Sequence, residues 1–104
     1  MRLFMKSARS DYDAFCEYDP KTELFTVLKG SKLKKKTTTK FKLALPASNA
    51  RNDKTIVDKD LIVKKDVVFN SASTAAQFVV AQSVNGNRAW KKEDGKSFKD
   101  NKKK

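Results

Sequence analysis

The chain changes character once, at Asn70-Ser71, and this change constrains the fold more than any other feature. Before it, runs rich in aromatic and β-branched residues are separated by turn signals, as in strands. After it, residues 71–82 begin with hydroxyl side chains that can cap a helix and continue with apolar residues at helical spacing, such as Ala75 and Phe78. We therefore predict an α+β fold, with one principal helix at about residues 72–83 packed on a small, mainly antiparallel sheet.

The first two strands are predicted to form a β-hairpin. Residues 13–18 and 24–29 are aromatic and β-branched runs on either side of Asp19-Pro20. Proline fixes φ near the value needed at the second position of a type I turn. A later β-branched run, residues 61–69, predicts another strand that is broken near Lys65-Asp66.

Alternation predicts a further strand at residues 40–45. Phe41, Leu43 and Leu45 would share one face, with lysines on the other, and Pro46 would end the strand. The polar residues 47–54 that follow predict a helical turn or a loop.

The last part of the chain reads as turns and short strands. Asn85-Gly86 is a turn signal at which a positive φ is easily adopted. Residues 88–92 then predict a short strand, Asp94-Gly95 a second turn, and residues 97–98 a final pairing.

A chain of 104 residues is one domain by length. We assign residues 1–98 to this domain and expect the lysine-rich residues 99–104 to be frayed. The single cysteine, Cys16, excludes an intramolecular disulfide, and the N-terminus lacks the apolar stretch of a signal peptide. The cytoplasm is the expected compartment.

The positive charge is concentrated in one segment. Of a formal net charge of +12, residues 29–55 contribute nine basic side chains against one acidic. Such a field attracts polyanions, because lysine ammonium groups bind phosphates without reading sequence. The lysines of this block and of a later pair are candidate nucleic-acid contacts: Lys29, Lys32, Lys34, Lys35, Lys36, Lys40, Lys42, Lys91 and Lys92. A solvated loop whose charge only maintains solubility is the alternative.

Two aromatic residues next to these lysines could stack on bases, but a structural role is favoured for both. Phe41 would share a strand face with Leu43 and Leu45, and Trp90 falls in the predicted closing strand.

No catalytic, metal-binding or cofactor-binding constellation is recognisable. The chain has no histidine, so Ser–His and Cys–His pairs are impossible, and Ser71 and Ser73 are better explained as helix caps. Cys16 is expected to be a buried apolar residue. The N-terminal carboxylates could bind a cation, yet more plausibly balance the lysines or face water: Asp11, Asp13, Glu17 and Asp19.

Three segments carry a family pattern. Residues 25–31, Phe-Thr-Val-Leu-Lys-Gly-Ser, resemble the opening "F-x-V-L-x-G-S" of bacterial domain-of-unknown-function family 4357. Residues 66–76 resemble its "D-x-x-F-x-S-P-S-x-A-A", and residues 83–96 its closing "S-x-N-G-x-x-x-W-K…G-K". Ala72 and Ala81 depart from this pattern, since the family usually has proline at the first position and often glycine at the second.

The resemblance implies an accessory role beside nucleic-acid enzymes, because members are typically C-terminal modules of larger proteins. These include GIY-YIG-type nucleases and proteins linked to restriction-modification. It implies no activity. The expected function is therefore a non-catalytic, basic accessory domain that binds DNA or RNA through the phosphate backbone. The alternatives are a protein–protein interaction or oligomerisation module and, least favoured, an enzyme.

Overall fold

The computed structural model describes residues 1–9, 11–35, 43–82 and 84–98. Four strands and three helices follow one another in this part of the chain: β1 (Arg2–Ser7), β2 (Tyr12–Asp19), β3 (Leu24–Val27), α1 (Leu45–Asn52), β4 (Val67–Phe69), α2 (Ala72–Val80) and α3 (Gly86–Ala89). The strands form one antiparallel sheet in the order β1-β2-β3-β4. The predicted α+β class, the hairpin β2–β3 and the break before β4 are confirmed.

One face of the sheet supports the core. Along β1 and β2 buried residues alternate with exposed or half-buried ones, as the pleat of a strand requires. Leu3, Ala14 and Cys16 point to the buried face, where α2 covers β2, β3 and β4. Phe78 and Val79 of α2, both fully buried, belong to the same apolar cluster. The sheet therefore has an inner face beneath α2 and an outer face on the opposite side.

The principal helix is shorter than predicted at its C-terminal end. Ser71 caps its start by accepting a hydrogen bond from the Thr74 backbone N–H at 2.9 Å. The helix ends at Val80 because Ala81 adopts the left-handed conformation, with φ 57°. A non-glycine residue pays a steric cost there, and this is the position at which the family pattern often has glycine.

The prediction of a strand through Leu45 was wrong for the residues that the structure describes. Leu45 opens α1 and is 72% exposed, and Pro46 lies in the first helical turn. Proline suits that turn, because the first N–H groups of a helix have no intrahelical acceptor. The buried Ala47 and Ala50 place α1 against α2. Residues 40–42 and the predicted frayed tail lie outside the described residues.

The predicted strand at residues 88–92 was also largely wrong. Asn85 caps α3 by accepting a hydrogen bond from the Asn87 backbone N–H at 3.0 Å, and the helix runs to Ala89. Only Lys91 pairs as a strand residue, with Phe4 of β1 on one side and Ser97 on the other. The final pairing is thereby confirmed. None of the helices in the described ranges is long and apolar enough to cross a membrane.

Candidate nucleic-acid interface

The lysines that follow β3 alternate with buried residues. Gly30 has a φ of +95°, and beyond this kink the chain runs beside the first half of β2. Ser31 and Leu33 are fully buried, whereas Lys32 and Lys34 are half-buried and Lys35 is exposed. The basic block therefore presents its charges on the side away from the core. The candidates Lys36, Lys40 and Lys42 lie outside the described residues.

Several candidate lysines already have partners within the chain. Lys32 Nζ lies 2.9 Å from Asp11 Oδ2, and Lys34 Nζ donates to Gln82 Oε1 at 2.7 Å. The backbone N–H of Lys29 donates to Asp66 Oδ1 at 2.8 Å, which leaves its exposed side chain free to extend into solvent. Asp11 thus balances part of the lysine block, which agrees with the interpretation that the N-terminal carboxylates neutralise lysines.

Lys91 and Lys92 lie apart from the basic block. Lys91 pairs with β1 at the outer edge of the sheet, whereas Lys32 pairs with Asp13 of β2 on the side away from β1. The Lys91 ammonium donates to the Arg88 carbonyl oxygen at 2.9 Å and to Ser97 Oγ at 3.2 Å. Among the described lysines, Lys91 and Lys32 thus lie on opposite sides of the β1–β2 pair, and Lys91 helps to hold the chain after α3.

A cleft beside α1 is lined by cations that are not among the candidates predicted from the sequence. Its walls come from the C-terminal end of α1 and from the 57–64 turn, where Val57 bridges to Val63. A second cleft that reaches Lys35 shares Arg51, Asn52 and Leu61 with the first. We call the combined feature the basic groove; its charged residues are Lys35, Arg51, Lys54, Lys59, Lys64 and Asp58.

Arg51 stands out in the basic groove because it is tied to the backbone. Its Nε donates to the Phe78 carbonyl oxygen at 3.0 Å, near the end of α2, and its Nη2 donates to the Lys34 carbonyl oxygen. Burial lowers the pKa of this guanidinium, but an arginine remains charged at neutral pH. Arg51 thus joins α1, α2 and the basic block while adding charge to the groove wall.

Asp58, the single carboxylate of the groove, shapes the turn. Its Oδ1 accepts hydrogen bonds from the backbone N–H groups of Asp60 at 2.8 Å and Ile62 at 3.0 Å. These bonds, that from Ile62 above all, hold the pKa of Asp58 below its ordinary value. The carboxylate is therefore ionised at neutral pH, and the groove carries five cations against one anion.

The family motif residues form packing contacts instead of lining the groove. Ser31 Oγ accepts from the Phe15 backbone N–H at 3.1 Å and donates to the Phe15 carbonyl oxygen at 3.3 Å. Trp90 is fully buried, as its predicted structural role requires, and its Nε1 donates to the Ala72 carbonyl oxygen at 3.1 Å. Ser73 Oγ accepts from the Gly86 backbone N–H at 3.1 Å. The Ser31 bonds hold the chain after β3 against β2, and the other two bonds hold α3 and Trp90 against the start of α2.

Gly86 is required for a reason different from the predicted one. Its φ is not positive, unlike those of Gly30 and Gly95. A Cβ at Gly86 would instead overlap the backbone of Ala72 and Ser73, at the start of α2. The Asn-Gly pair therefore permits two helix starts to approach closely, rather than a left-handed turn.

The remaining candidates for chemistry are accounted for by packing. Cys16 is fully buried, and this burial raises the pKa of its thiol to about 12, so the reactive thiolate is suppressed at neutral pH. Glu17 accepts a hydrogen bond from Arg2 at 2.9 Å, which lowers the pKa of its carboxyl. Among the described residues, no group of three or more cysteine or carboxylate side chains could hold a metal ion.

Comparison with known proteins agrees with the quoted motifs. No curated protein and no solved structure shows significant similarity to this chain. A family's sequence profile, by contrast, matches residues 3–102, nearly the whole chain. This range includes the strands, the principal helix and the basic groove, and we conclude that the chain belongs to the family described as Domain of unknown function (DUF4357).

Proposed function

We propose that this domain is a non-catalytic accessory module that binds nucleic acid through the phosphate backbone, with the basic groove as its contact surface. The supporting observation is that two clefts, which share Arg51, gather five cations from three separate segments and only one carboxylate. When a polyanion binds to a cluster of cations, the counterions condensed on the polyanion are released. This release is the main source of sequence-independent affinity.

The groove lysines can offer their ammonium groups to such a contact, whereas Arg51 is held by two backbone carbonyl groups. In the described ranges, the ion pairs involve Arg2, Lys32 and the N-terminal amine, and none uses a groove cation. Lys64 donates only to the Lys54 carbonyl oxygen, at 3.1 Å. Lysine ammonium groups at the ends of flexible side chains can follow a phosphate backbone without reading bases.

The cellular setting that fits this proposal is the cytoplasm, beside a nuclease or a restriction-modification protein, as the family resemblance implies. The module would there supply affinity for the polymer while its partner supplies the reaction.

A protein–protein interaction or oligomerisation module is the second candidate. The observation that favours it is the exposure of apolar side chains outside the groove, with Leu45 72% and Val68 56% exposed. Association of this kind would depend on apolar area and would persist at high salt, whereas phosphate binding weakens steeply with salt.

A salt series of fluorescence-anisotropy titrations tests the proposal, with labelled duplex DNA, single-stranded DNA and RNA as probes. The groove variant carries Lys54→Ala and Lys59→Ala. The matched control carries Lys21→Ala and Lys96→Ala, which remove the same charge from turns elsewhere. We expect the groove variant to reduce the slope of log affinity against log salt by about two, at roughly one unit per phosphate contact, and the control to keep the wild-type slope.

Two outcomes would contradict the proposal. The first is the absence of binding at moderate salt. The second is an equal loss in the groove variant and the control, which would mean that net charge and not the groove attracts the polymer. A concentration-dependent increase in mass at high salt, measured by sedimentation, would favour the second candidate instead.

A further inference from the structure

The outer face of the sheet carries an aromatic pair that takes no part in the core. The register places Phe4 of β1 directly opposite Phe15 of β2, between the buried pairs on either side of them. Both rings are half-buried, yet neither is among the half-buried apolar side chains that pack against the core, as Tyr12, Tyr18 and Phe98 do. Two aromatic side chains therefore lie side by side on the face opposite α2.

Backbone pairing brings these two side chains close together. The backbone N–H and carbonyl groups of Phe4 form hydrogen bonds with the backbone of Lys91, each at 2.8 Å. Those of Phe15 bond to Ser31 Oγ and to the Leu28 N–H, on the side away from β1. The pair is thus a non-hydrogen-bonded one, the kind in which facing Cβ atoms are closest, at about 4.5–5.5 Å. The Phe15 ring reaches across to Gly30, since its Cζ would lie 3.7 Å from a Cβ placed there.

Cations surround this aromatic pair. Arg2 and Lys6 flank Phe4 along β1, Lys91 lies across from it, and Lys32 pairs with Asp13 at one corner of the same face. Carboxylates are also present: Glu17 is paired with Arg2, and Asp13 is exposed. Because Arg2 is paired with Glu17 and Lys32 with Asp11, this face offers fewer unpaired cations among the described residues than the basic groove does. Its distinctive chemistry is the presence of two aromatic side chains at directly opposite positions of β1 and β2.

We propose that the outer face stacks unpaired bases of single-stranded nucleic acid on Phe4 and Phe15. This inference rests on the proposed function, and it names the class of polymer. Bases stack on aromatic side chains of an open sheet only when they are unpaired, because in a duplex their faces are covered by neighbouring base pairs. The phosphates of the bound strand would then contact nearby cations. One of these, Lys32, pairs with Ile62, which follows the groove residue Leu61 in the chain.

The test separates stacking from phosphate binding by the choice of probe. A labelled thymidine oligonucleotide, an abasic strand of the same length and a duplex are titrated with the full chain at several salt concentrations. We expect the thymidine strand to bind more tightly than the abasic strand, which carries the same phosphates. Phe15→Leu should lower affinity for the thymidine strand roughly tenfold and remove most of this preference, since each stacked base contributes on the order of tenfold or more.

Matched variants control for folding and for apolar area. Phe15→Leu keeps apolar bulk, Phe15→Tyr keeps an aromatic ring and should bind like wild type, and Val68→Ala removes an exposed apolar side chain from the same face. Urea unfolding of each variant shows whether the fold is retained, and Phe4→Leu repeats the measurement at the neighbouring ring. None of these changes should alter the salt slope, because no charge is removed.

The outcomes distinguish this inference from the proposed function. Equal affinity for thymidine and abasic strands, with Phe15→Leu unchanged and a steep salt slope, would overturn base stacking while leaving the basic groove as the contact surface. Loss of affinity in Phe15→Tyr as large as in Phe15→Leu would also overturn it. Absence of binding to every probe would contradict both base stacking and the proposed function. Self-association that Phe4→Leu abolishes would assign the outer face to a second copy of the chain.

Discussion

The family motif segments (residues 25–31, 66–76 and 83–96, described without residue 83) differ in their side-chain contacts from the lysine-rich segment between the first two (described for residues 32–35 and 43–65). Motif residues such as Ser31, Ser73 and Trp90 are satisfied inside the fold. The segment between them instead contributes the lysines that line the basic groove, which are Lys35, Lys54, Lys59 and Lys64. A pattern made of packing residues thus identifies a fold without identifying a ligand site.

Among substitutions that test this difference, we expect the largest loss of stability at Gly86, which lies in a motif segment. Helix propensity alone would make Gly86→Ala stabilising by up to about 1 kcal/mol. The overlap of the new Cβ with the backbone of Ala72 and Ser73 predicts the opposite sign. We expect a loss of about 3 kcal/mol in the free energy of unfolding, as for overpacked sites, measured by urea titration.

Gly95→Ala is the matched control for Gly86→Ala. Gly95 has a φ of +86° but nothing within 4 Å of a Cβ placed there. Its substitution should cost only the left-handed strain, about 1–2 kcal/mol. A Gly86→Ala variant as stable as wild type would show that the starts of α2 and α3 can separate freely, and the motif would lose its packing explanation at this position.

We expect a smaller loss of stability at Arg51. This residue is an exception in the lysine-rich segment, because its side chain contacts the backbone of the fold. Arg51→Ala removes the donors to the Phe78 and Lys34 carbonyl oxygens. Hydrogen bonds from charged groups contribute about 1.5–3 kcal/mol, so we expect a loss of about 2 kcal/mol on urea unfolding.

Arg51→Lys distinguishes geometry from charge at this position. Lysine keeps the positive charge, but its compact ammonium group lacks the planar fork that serves two carbonyl groups at once. It should therefore recover little of the lost stability while leaving the salt slope of nucleic-acid binding unchanged. Full recovery of stability by lysine would mean that charge near the end of α2, and not the two hydrogen bonds, is what matters.

The fold was predictable from the sequence where the signal is local. Aromatic and β-branched runs on either side of Asp19-Pro20 predicted the hairpin, and hydroxyl caps followed by apolar residues at helical spacing predicted α2. Pro46 and Gly86 were misinterpreted because each residue type suits two structures. Proline ends a strand but also opens a helix, and glycine permits a positive φ but also a close backbone contact.

The candidate site was predictable only in part. Lys35 lies in a visible run of lysines, whereas Lys54, Lys59 and Lys64 are scattered through turns and form no run. They line one cleft only because the 57–64 turn folds beside the end of α1, and Lys35 lines the neighbouring cleft that shares Arg51 with it. Such tertiary neighbours leave no periodic signal in the sequence.

The smallest effect on stability is expected for the groove lysines, and here the two regions should differ most clearly. In the described ranges, the side chains of Lys35, Lys54 and Lys59 form no ion pair. Surface substitutions of this kind usually change stability by no more than about 0.5 kcal/mol. Each single change to alanine should leave the urea midpoint nearly unchanged, while lowering the salt slope of binding by about one. A triple variant with alanine at Lys35, Lys54 and Lys59 should be slightly more stable at low salt, because repulsion among the groove cations is relieved. A loss of stability in that variant would show that these lysines hold the fold together, as the motif residues do.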